Sequence, residues 1–289
     1  SWVKIQAVGA EADDSFSALR SENTRRLKLT SLPLQFPDDF SPPQSQFPPN
    51  RTTSISYTMA SIRANCRKIM CIGRNYADHI TELNSATPKQ PFFFLKPSSS
   101  ILLPGSGPVL RPKGVSLHYE VELGLIMGKT VRDLDPNDEQ GALDAIQSYI
   151  LAIDMTARNV QDEAKKKGLP WSIAKGFDTF CPISQEIAKS RIPNPHDAFL
   201  RLKVGQVERQ ADSTSLMLHR IPKQLAQISR VMTLEKGDIV LTGTPKGVGQ
   251  VQAGDVMRAS IEVDGKEIEE GRIEVEVQDR EGRYEFKET

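Results

Sequence analysis

The stretch His118-Tyr119-Glu120-Val121-Glu122-Leu123-Gly124 predicts a β-strand, because apolar and acidic residues alternate along it. Successive side chains of a strand point to opposite faces, so Glu120 and Glu122 share one face. Two neighbouring carboxylates repel each other unless water or a cation lies between them. The alternation leaves two interpretations open: a half-buried strand with a solvated acidic face, or two oxygen ligands of a hard divalent cation such as Mg²⁺ or Mn²⁺.

The composition is typical of a soluble globular protein of one or two domains with a disordered part, since 38% of the 289 residues are hydrophobic and 26% are charged. The 37 basic and 37 acidic side chains cancel, which argues against nucleic acid or an anionic membrane as the main partner. No apolar run is long enough to span a bilayer. The cysteines, at positions 66, 71 and 181, lack metal-type spacing, so we expect free thiols.

Residues 1–58 contain six prolines and show no sustained periodicity, which predicts a disordered segment. Their acidic residues make them a weak match to a mitochondrial targeting peptide. No methionine precedes Met59, so we formulate the hypothesis that Met59 is the natural start. A start there would make the basic, acid-free stretch to Lys68 a candidate import signal. N-terminal sequencing of the native protein that found residues from 1–58 would refute the hypothesis.

A short helix is predicted after an apolar strand at residues 69–72, with Asn75 or Asp78 as its cap. His79 and Glu82 are three residues apart and therefore share one face of that helix. A carboxylate beside an imidazole fixes its tautomer and supports its protonated form, as a general base requires. The alternative is an ordinary polar pair on a surface helix.

Two further charged side chains lie in apolar surroundings, where burying a charge costs free energy. Asp154 follows an apolar strand at residues 149–153, where a carboxylate must be paired or bound to a metal. The alternative is that Asp154 simply caps the next helix, for which Thr156 is a second candidate. Lys175 lies among small and apolar residues. It is either a lysine whose ammonium reaches water or a partner for an anion in a cleft.

Other segments give coarser predictions. Residues 91–97 predict a buried strand, and residues 161–167 a polar helix capped by Gly168. Residues 215–229 predict a helix with Leu218 among its inward positions. A strand at 238–242 leads into the glycine-rich loop 243–249, which is either a tight turn or a wall of backbone amides against a carboxylate.

Five stretches together resemble the fumarylacetoacetate hydrolase superfamily, in its short single-domain acylpyruvase branch. They are Gly73-Arg-Asn-Tyr-Ala-Asp-His79, Leu117-His-Tyr-Glu-Val-Glu-Leu-Gly124, Asp154-Met-Thr-Ala-Arg-Asn-Val-Gln161, Lys166-Lys-Gly-Leu-Pro-Trp171 and Leu241-Thr-Gly-Thr-Pro-Lys-Gly-Val-Gly249. The resemblance defines a catalytic domain over residues 68–278. Residues 1–58 would be an extension and residues 279–289 a charged, frayed tail.

The resemblance implies an α+β, mainly β fold: a mixed β-sandwich roll with flanking short helices. It also implies a Mg²⁺ or Mn²⁺ ion, a small oxo-acid substrate and a homodimer. The implied metal ligands are Glu120, Glu122 and Asp154. The implied catalytic residues are His79, Glu82 and Lys175, and the implied substrate contacts are Arg74, Gln161 and Thr244.

The implied activity is hydrolysis of the C–C bond of acylpyruvates (2,4-dioxo acids) to pyruvate and a carboxylate. The alternative on the same site is oxaloacetate decarboxylation or oxaloacetate enol–keto tautomerisation. Two other classes remain open: a non-catalytic oxo-acid-binding protein and a purely structural β-roll. The family implies a mitochondrial location, with the cytosol as the alternative.

Overall fold

The computed structural model describes residues 61–84 and 86–288. The predictions for residues 1–58, including the start at Met59, lie outside them. Residues 61–65 are helical, and the strands that follow are β1 Ile69–Gly73, β2 Phe92–Lys96, β3 Ile101–Leu102, β4 Val109–Arg111, β5 Leu117–Tyr119, β6 Val121–Met127, β7 Ile146–Ile153, β8 Thr156–Ala157, β9 Cys181–Pro182, β10 Ile187–Ala188, β11 Phe199–Val204, β12 Val207–Ser213, β13 Ile239–Leu241, β14 Gly249–Val251, β15 Val256–Val263, β16 Lys266–Glu267 and β17 Ile273–Asp279.

The helices between these strands are short. They are α1 Ala77–Glu82, α2 Glu139–Asp144, α3 Arg158–Lys167, α4 Ser172–Lys175 and α5 Ile221–Val231, with 3-10 turns at Ser98–Ser100, Lys189–Arg191, Thr214–Leu216 and Glu269–Gly271. No helix in the described residues is both long and apolar enough to cross a membrane.

Two sheets of six strands dominate the fold. The first has the order β10-β7-β6-β13-β1-β2, in which β1 and β13 are parallel and the other neighbours antiparallel. The second has the order β12-β11-β15-β17-β4, with β16 paired to β15. One hydrophobic cluster joins Leu125 and Leu151 of the first sheet to Leu200 and Ile261 of the second. The predicted α+β, mainly β fold with mixed sheets and short helices is therefore confirmed.

The centre of the first sheet positions the site. Strand β6 lies between β7 and β13, and every one of its residues is buried. The β6–β7 register pairs Val121 with Ile153 and Glu122 with Ala152. The acidic residues around β6 therefore lie beside the carboxyl end of β7, where Asp154 follows.

Three local predictions are wrong, each because tertiary contacts override the local pattern. Strand β2 is not buried: it is the edge of its sheet, and Leu95 is 44% exposed. The helix expected from residue 215 begins only at Ile221, with Pro222 in its first turn, which leaves Leu218 exposed. The tail is not frayed, because the Phe286 N–H donates to the Lys113 carbonyl at 3.0 Å.

Candidate active site

Three carboxylates converge at the carboxyl end of β7. Glu120 lies between β5 and β6, Glu122 is the second residue of β6, and Asp154 directly follows β7. One oxygen of each lies within 4.8 Å of the others, and all three side chains are buried. The solvated acidic face is therefore a wrong interpretation. So is the helix cap, because α3 begins at Arg158 with no side-chain cap.

Three buried cations neutralise most of this charge. The Lys175 ammonium donates to Glu120 Oε2 at 2.9 Å and to Asp154 Oδ2 at 2.6 Å. The Arg158 guanidinium donates to Glu120 Oε1 at 2.5 Å, and the Lys96 ammonium donates to Asp154 Oδ1 at 2.7 Å. Buried charges require such partners, because the interior solvates them poorly.

Glu122 is the exception in this cluster. Its only hydrogen-bond donor in the described part of the chain is the backbone N–H of Gly243, 2.7 Å from Oε2. Burial, together with the negative charges of Asp154 and Glu120, raises the pKa of Glu122 well above its usual range. Burial also opposes ionisation of Glu120, but Lys175 and Arg158 outweigh it and hold that pKa well below its usual range.

This donor set fits a hard divalent cation. Three carboxylates offer oxygen ligands of the type that Mg²⁺ and Mn²⁺ prefer. Glu122 is the carboxyl without a cationic partner in the described residues, so an additional cation would favour its ionised form and offset the burial and repulsion that raise its pKa.

His79 and Glu82 form the predicted pair on α1. His79 Nδ1 lies 3.3 Å from Glu82 Oε2, and the Gly247 N–H holds both Glu82 oxygens at 3.2 Å. Burial lowers the pKa of His79, while the carboxylates of Glu120 and Glu82 act in the opposite direction. The neutral imidazole is therefore favoured. In it, Nδ1 keeps its proton and donates it to Glu82, and Nε2 has a free lone pair.

Asn75 anchors this part of the chain, although not as the predicted cap. Helix α1 begins after Tyr76 without a side-chain cap. The Asn75 amide donates to the carbonyls of His219 (3.1 Å) and Thr242 (2.9 Å) and accepts from the His219 N–H at 2.8 Å. Three bonds to two distant segments fix the position from which the helix carrying His79 starts.

The glycine-rich loop 243–249 directs backbone amides at carboxylates, but these belong to the protein. The Gly243 N–H binds Glu122 and the Gly247 N–H binds Glu82. Gly243 has a φ of 98°, and a Cβ there would lie 2.7 Å from the Asn75 Cβ. Only glycine fits both constraints, so this residue type is needed where the loop meets the carboxylate cluster.

One cleft connects the carboxylates with the imidazole. All predicted site residues except Glu82, which lies behind His79, line it: Arg74, His79, Glu120, Glu122, Asp154, Gln161, Lys175 and Thr244. Gln161 accepts from Arg158 at 2.6 Å, and the Thr244 hydroxyl donates to the Val121 carbonyl at 2.8 Å. Hydrogen bonds within the protein therefore fix both side chains at the cleft.

Sequence reasoning missed Lys96 and Arg158. Lys96 ends an apolar run and is 1% exposed, and Arg158 opens α3 four residues after Asp154. The sequence contained one signal for a buried, paired Lys96: it is a charged residue at the end of an apolar strand. This signal did not identify the partner, which is 58 residues away.

The fold and the cleft define an α+β enzyme built around a buried carboxylate centre. A model of the fumarylacetoacetate (FAA) hydrolase C-terminal domain matches residues 68–278. The chain belongs to the fumarylacetoacetate hydrolase family.

Similar proteins include enzymes named for oxaloacetate. The mitochondrial oxaloacetate tautomerase oaa1 of Schizosaccharomyces pombe is 55% identical over 194 residues, 67% of this chain and 88% of that protein. The mitochondrial oxaloacetate decarboxylase of Dictyostelium discoideum is 47% identical over 196 residues, 68% of this chain and 88% of that protein. The crystal structure of yeast ynq8, a fumarylacetoacetate hydrolase family protein, superposes with a TM-score of 0.72 at 43% identity, covering 78% of this chain and 99% of that one.

Proposed function

We propose that this protein is a mitochondrial oxaloacetate enol–keto tautomerase that uses Mg²⁺ or Mn²⁺. The observation that carries the proposal is the cleft in which a buried three-carboxylate centre faces a neutral, carboxylate-oriented imidazole. The relatives named for oxaloacetate support the substrate and the compartment. The catalytic domain would be residues 68–278, and the homodimer implied by the resemblance stays a prediction.

The reaction moves one proton between C3 of oxaloacetate and the oxygen on C2. His79 Nε2 has the lone pair to take a proton at either atom, because Nδ1 donates to Glu82. Glu82 stabilises the imidazolium that forms, and Lys175 supplies a cation to the developing oxyanion. Glu120, Glu122 and Asp154 would hold the divalent cation, which, when bound, would polarise the oxygens of an α-oxo acid.

The charge of the cleft favours a dianion. At its base, Lys96, Lys175 and Arg158 pair with Glu120 and Asp154, and their three positive charges equal the three negative charges of the ionised carboxylates, Glu122 included. A divalent cation would therefore leave the centre with two positive charges in excess. Oxaloacetate carries two carboxylates, whereas an acylpyruvate carries one.

The wall of the cleft adds further positive charge. Arg74 lines it and forms no salt bridge within residues 61–84 and 86–288. Its guanidinium lies 5.9 Å from the centre of the Phe92 ring. Lys165 also lines the cleft and is paired with Asp162 at 3.2 Å. We assign Arg74 to the second carboxylate of the substrate.

Acylpyruvate hydrolysis, the first expectation from the sequence, is not confirmed, and the relatives favour its alternative. Decarboxylation is the second candidate, supported by the Dictyostelium relative. A comparison on one purified, Mg²⁺-loaded sample would separate the three reactions. It would follow the ultraviolet absorbance of enol-oxaloacetate, CO₂ release from oxaloacetate, and cleavage of acetylpyruvate. We expect enol–keto exchange to have the largest kcat/KM; faster cleavage of acetylpyruvate would refute the proposal.

A further inference from the structure

Each carboxylate of the centre has one oxygen that accepts from a donor other than Lys175. Glu120 Oε1 accepts from Arg158 at 2.5 Å, Glu122 Oε2 from the Gly243 N–H at 2.7 Å, and Asp154 Oδ1 from Lys96 at 2.7 Å. Lys96 and Gly243 do not line the cleft, so they hold their carboxylates from the protein side. The second oxygens of Glu120 and Asp154 accept from Lys175, which lines the cleft, so a ligand in the cleft would meet these oxygens.

Two of the three remaining oxygens share one cation. Glu120 Oε2 and Asp154 Oδ2 both accept from the Lys175 ammonium, at 2.9 and 2.6 Å. Glu122 Oε1 has no donor in the described residues. A divalent cation that takes the place of the Lys175 ammonium would therefore meet one oxygen of each carboxylate rather than both.

Lys96 is itself fixed. Its ammonium donates to Asp154 Oδ1 and also to the neighbouring Met155 carbonyl at 3.0 Å, and its side chain is fully buried. Lys96 therefore binds two adjacent residues of the turn after β7. Rotating Asp154 to offer both oxygens would break its bond to a buried ammonium that has no water to replace it.

We propose that Lys96 is a positioning residue that restricts Asp154 to one-oxygen coordination and so makes the centre select Mg²⁺ or Mn²⁺ over Ca²⁺. This rests on the divalent-metal centre proposed above. Mg²⁺ takes six ligands at about 2.0–2.1 Å in octahedral geometry and uses single carboxylate oxygens and water. Ca²⁺ takes six to eight ligands at about 2.3–2.6 Å and gains from two-oxygen carboxylates, which the restraint denies it.

Calorimetric titration of the full chain with Mg²⁺ and with Ca²⁺ tests this without any activity assay. The wild-type protein should bind Mg²⁺ at least as tightly as Ca²⁺. Lys96→Met should shift the ratio of the two dissociation constants at least tenfold towards Ca²⁺. Removing the positive charge of Lys96 strengthens the binding of both divalent cations alike. The ratio of their dissociation constants therefore reports only the change in how Asp154 coordinates them. Lys165→Met removes a lysine that lines the cleft without contacting the centre, and it should leave the ratio unchanged.

The outcomes separate the two proposals. If the wild-type protein binds neither cation, the metal centre and the proposed function fail together. If it binds Mg²⁺ and a folded Lys96→Met shows the wild-type ratio, only the role of Lys96 fails.

A second measurement needs no variant, in case Lys96→Met does not fold. Infrared difference spectra of wild-type protein labelled with ¹³C-aspartate report how Asp154 binds the cation. The asymmetric and symmetric carboxylate stretches should be widely separated with Mg²⁺, as one-oxygen binding requires. A narrow separation, typical of two-oxygen chelation, would overturn the proposal.

Discussion

Replacing Glu82 by glutamine should slow proton transfer by His79 without weakening metal binding. The Nδ1–Oε2 distance of 3.3 Å corresponds to about 1.3 kcal/mol between unit charges in water and about 5 kcal/mol at an effective dielectric of about 20. The side chain of Glu82 is 35% exposed, so solvent screens the interaction towards the lower figure. We therefore expect a loss of about 1.5 kcal/mol of transition-state stabilisation, or roughly tenfold in kcat.

The assay is the decay of enol-oxaloacetate absorbance under saturating Mg²⁺, with the Mg²⁺ dissociation constant measured alongside. Glutamine keeps a carbonyl that can accept from the Gly247 N–H, so the loop should stay in place. Asp78→Asn is the matched control, since Asp78 lies on the same helix but pairs with the exposed Lys246. An unchanged kcat in Glu82→Gln would refute the role of the pair, and an equal loss in Asp78→Asn would attribute the effect to the helix.

Further measurements address the remaining groups. Because burial lowers the pKa of His79, the acid limb of the kcat–pH profile should lie below pH about 6.5, the ordinary imidazole value, and a limb at or above it would contradict this. Glu122→Gln should weaken Mg²⁺ binding at least tenfold in calorimetry, and an unchanged affinity would remove Glu122 from the ligand set. In the wild type, Mg²⁺ binding should strengthen with rising pH, because the raised pKa of Glu122 means that a proton must leave first; proton uptake on binding would contradict this. Burial raises the pKa of Cys66 and Cys181 to about 12, so the native protein should resist iodoacetamide at pH 8 and react after unfolding; rapid native labelling would show that these thiols are accessible.

The sequence determined the features that depend on neighbours along the chain. Alternation around Glu120 and Glu122 predicted extended chain, which the structure divides at Glu120 into β5 and β6, and the spacing of His79 and Glu82 placed them on one helix face. These predictions succeeded because side-chain direction follows backbone periodicity. The resemblance of five stretches then supplied the fold and the candidate residues.

Only the tertiary structure decided what surrounds these residues. Glu120 and Glu122 are buried because Arg158, Lys175 and Gly243 from distant segments pack against their carboxylates, and alternation cannot distinguish such a position from a half-exposed one. Lys96 reaches Asp154 across 58 residues, and Gly243 reaches Glu122 across 121. Local patterns carry no information about such pairings, since they arise from strand order and register. The sequence identified the three carboxylates, and the packing of distant segments decided which oxygen of each one faces the cleft.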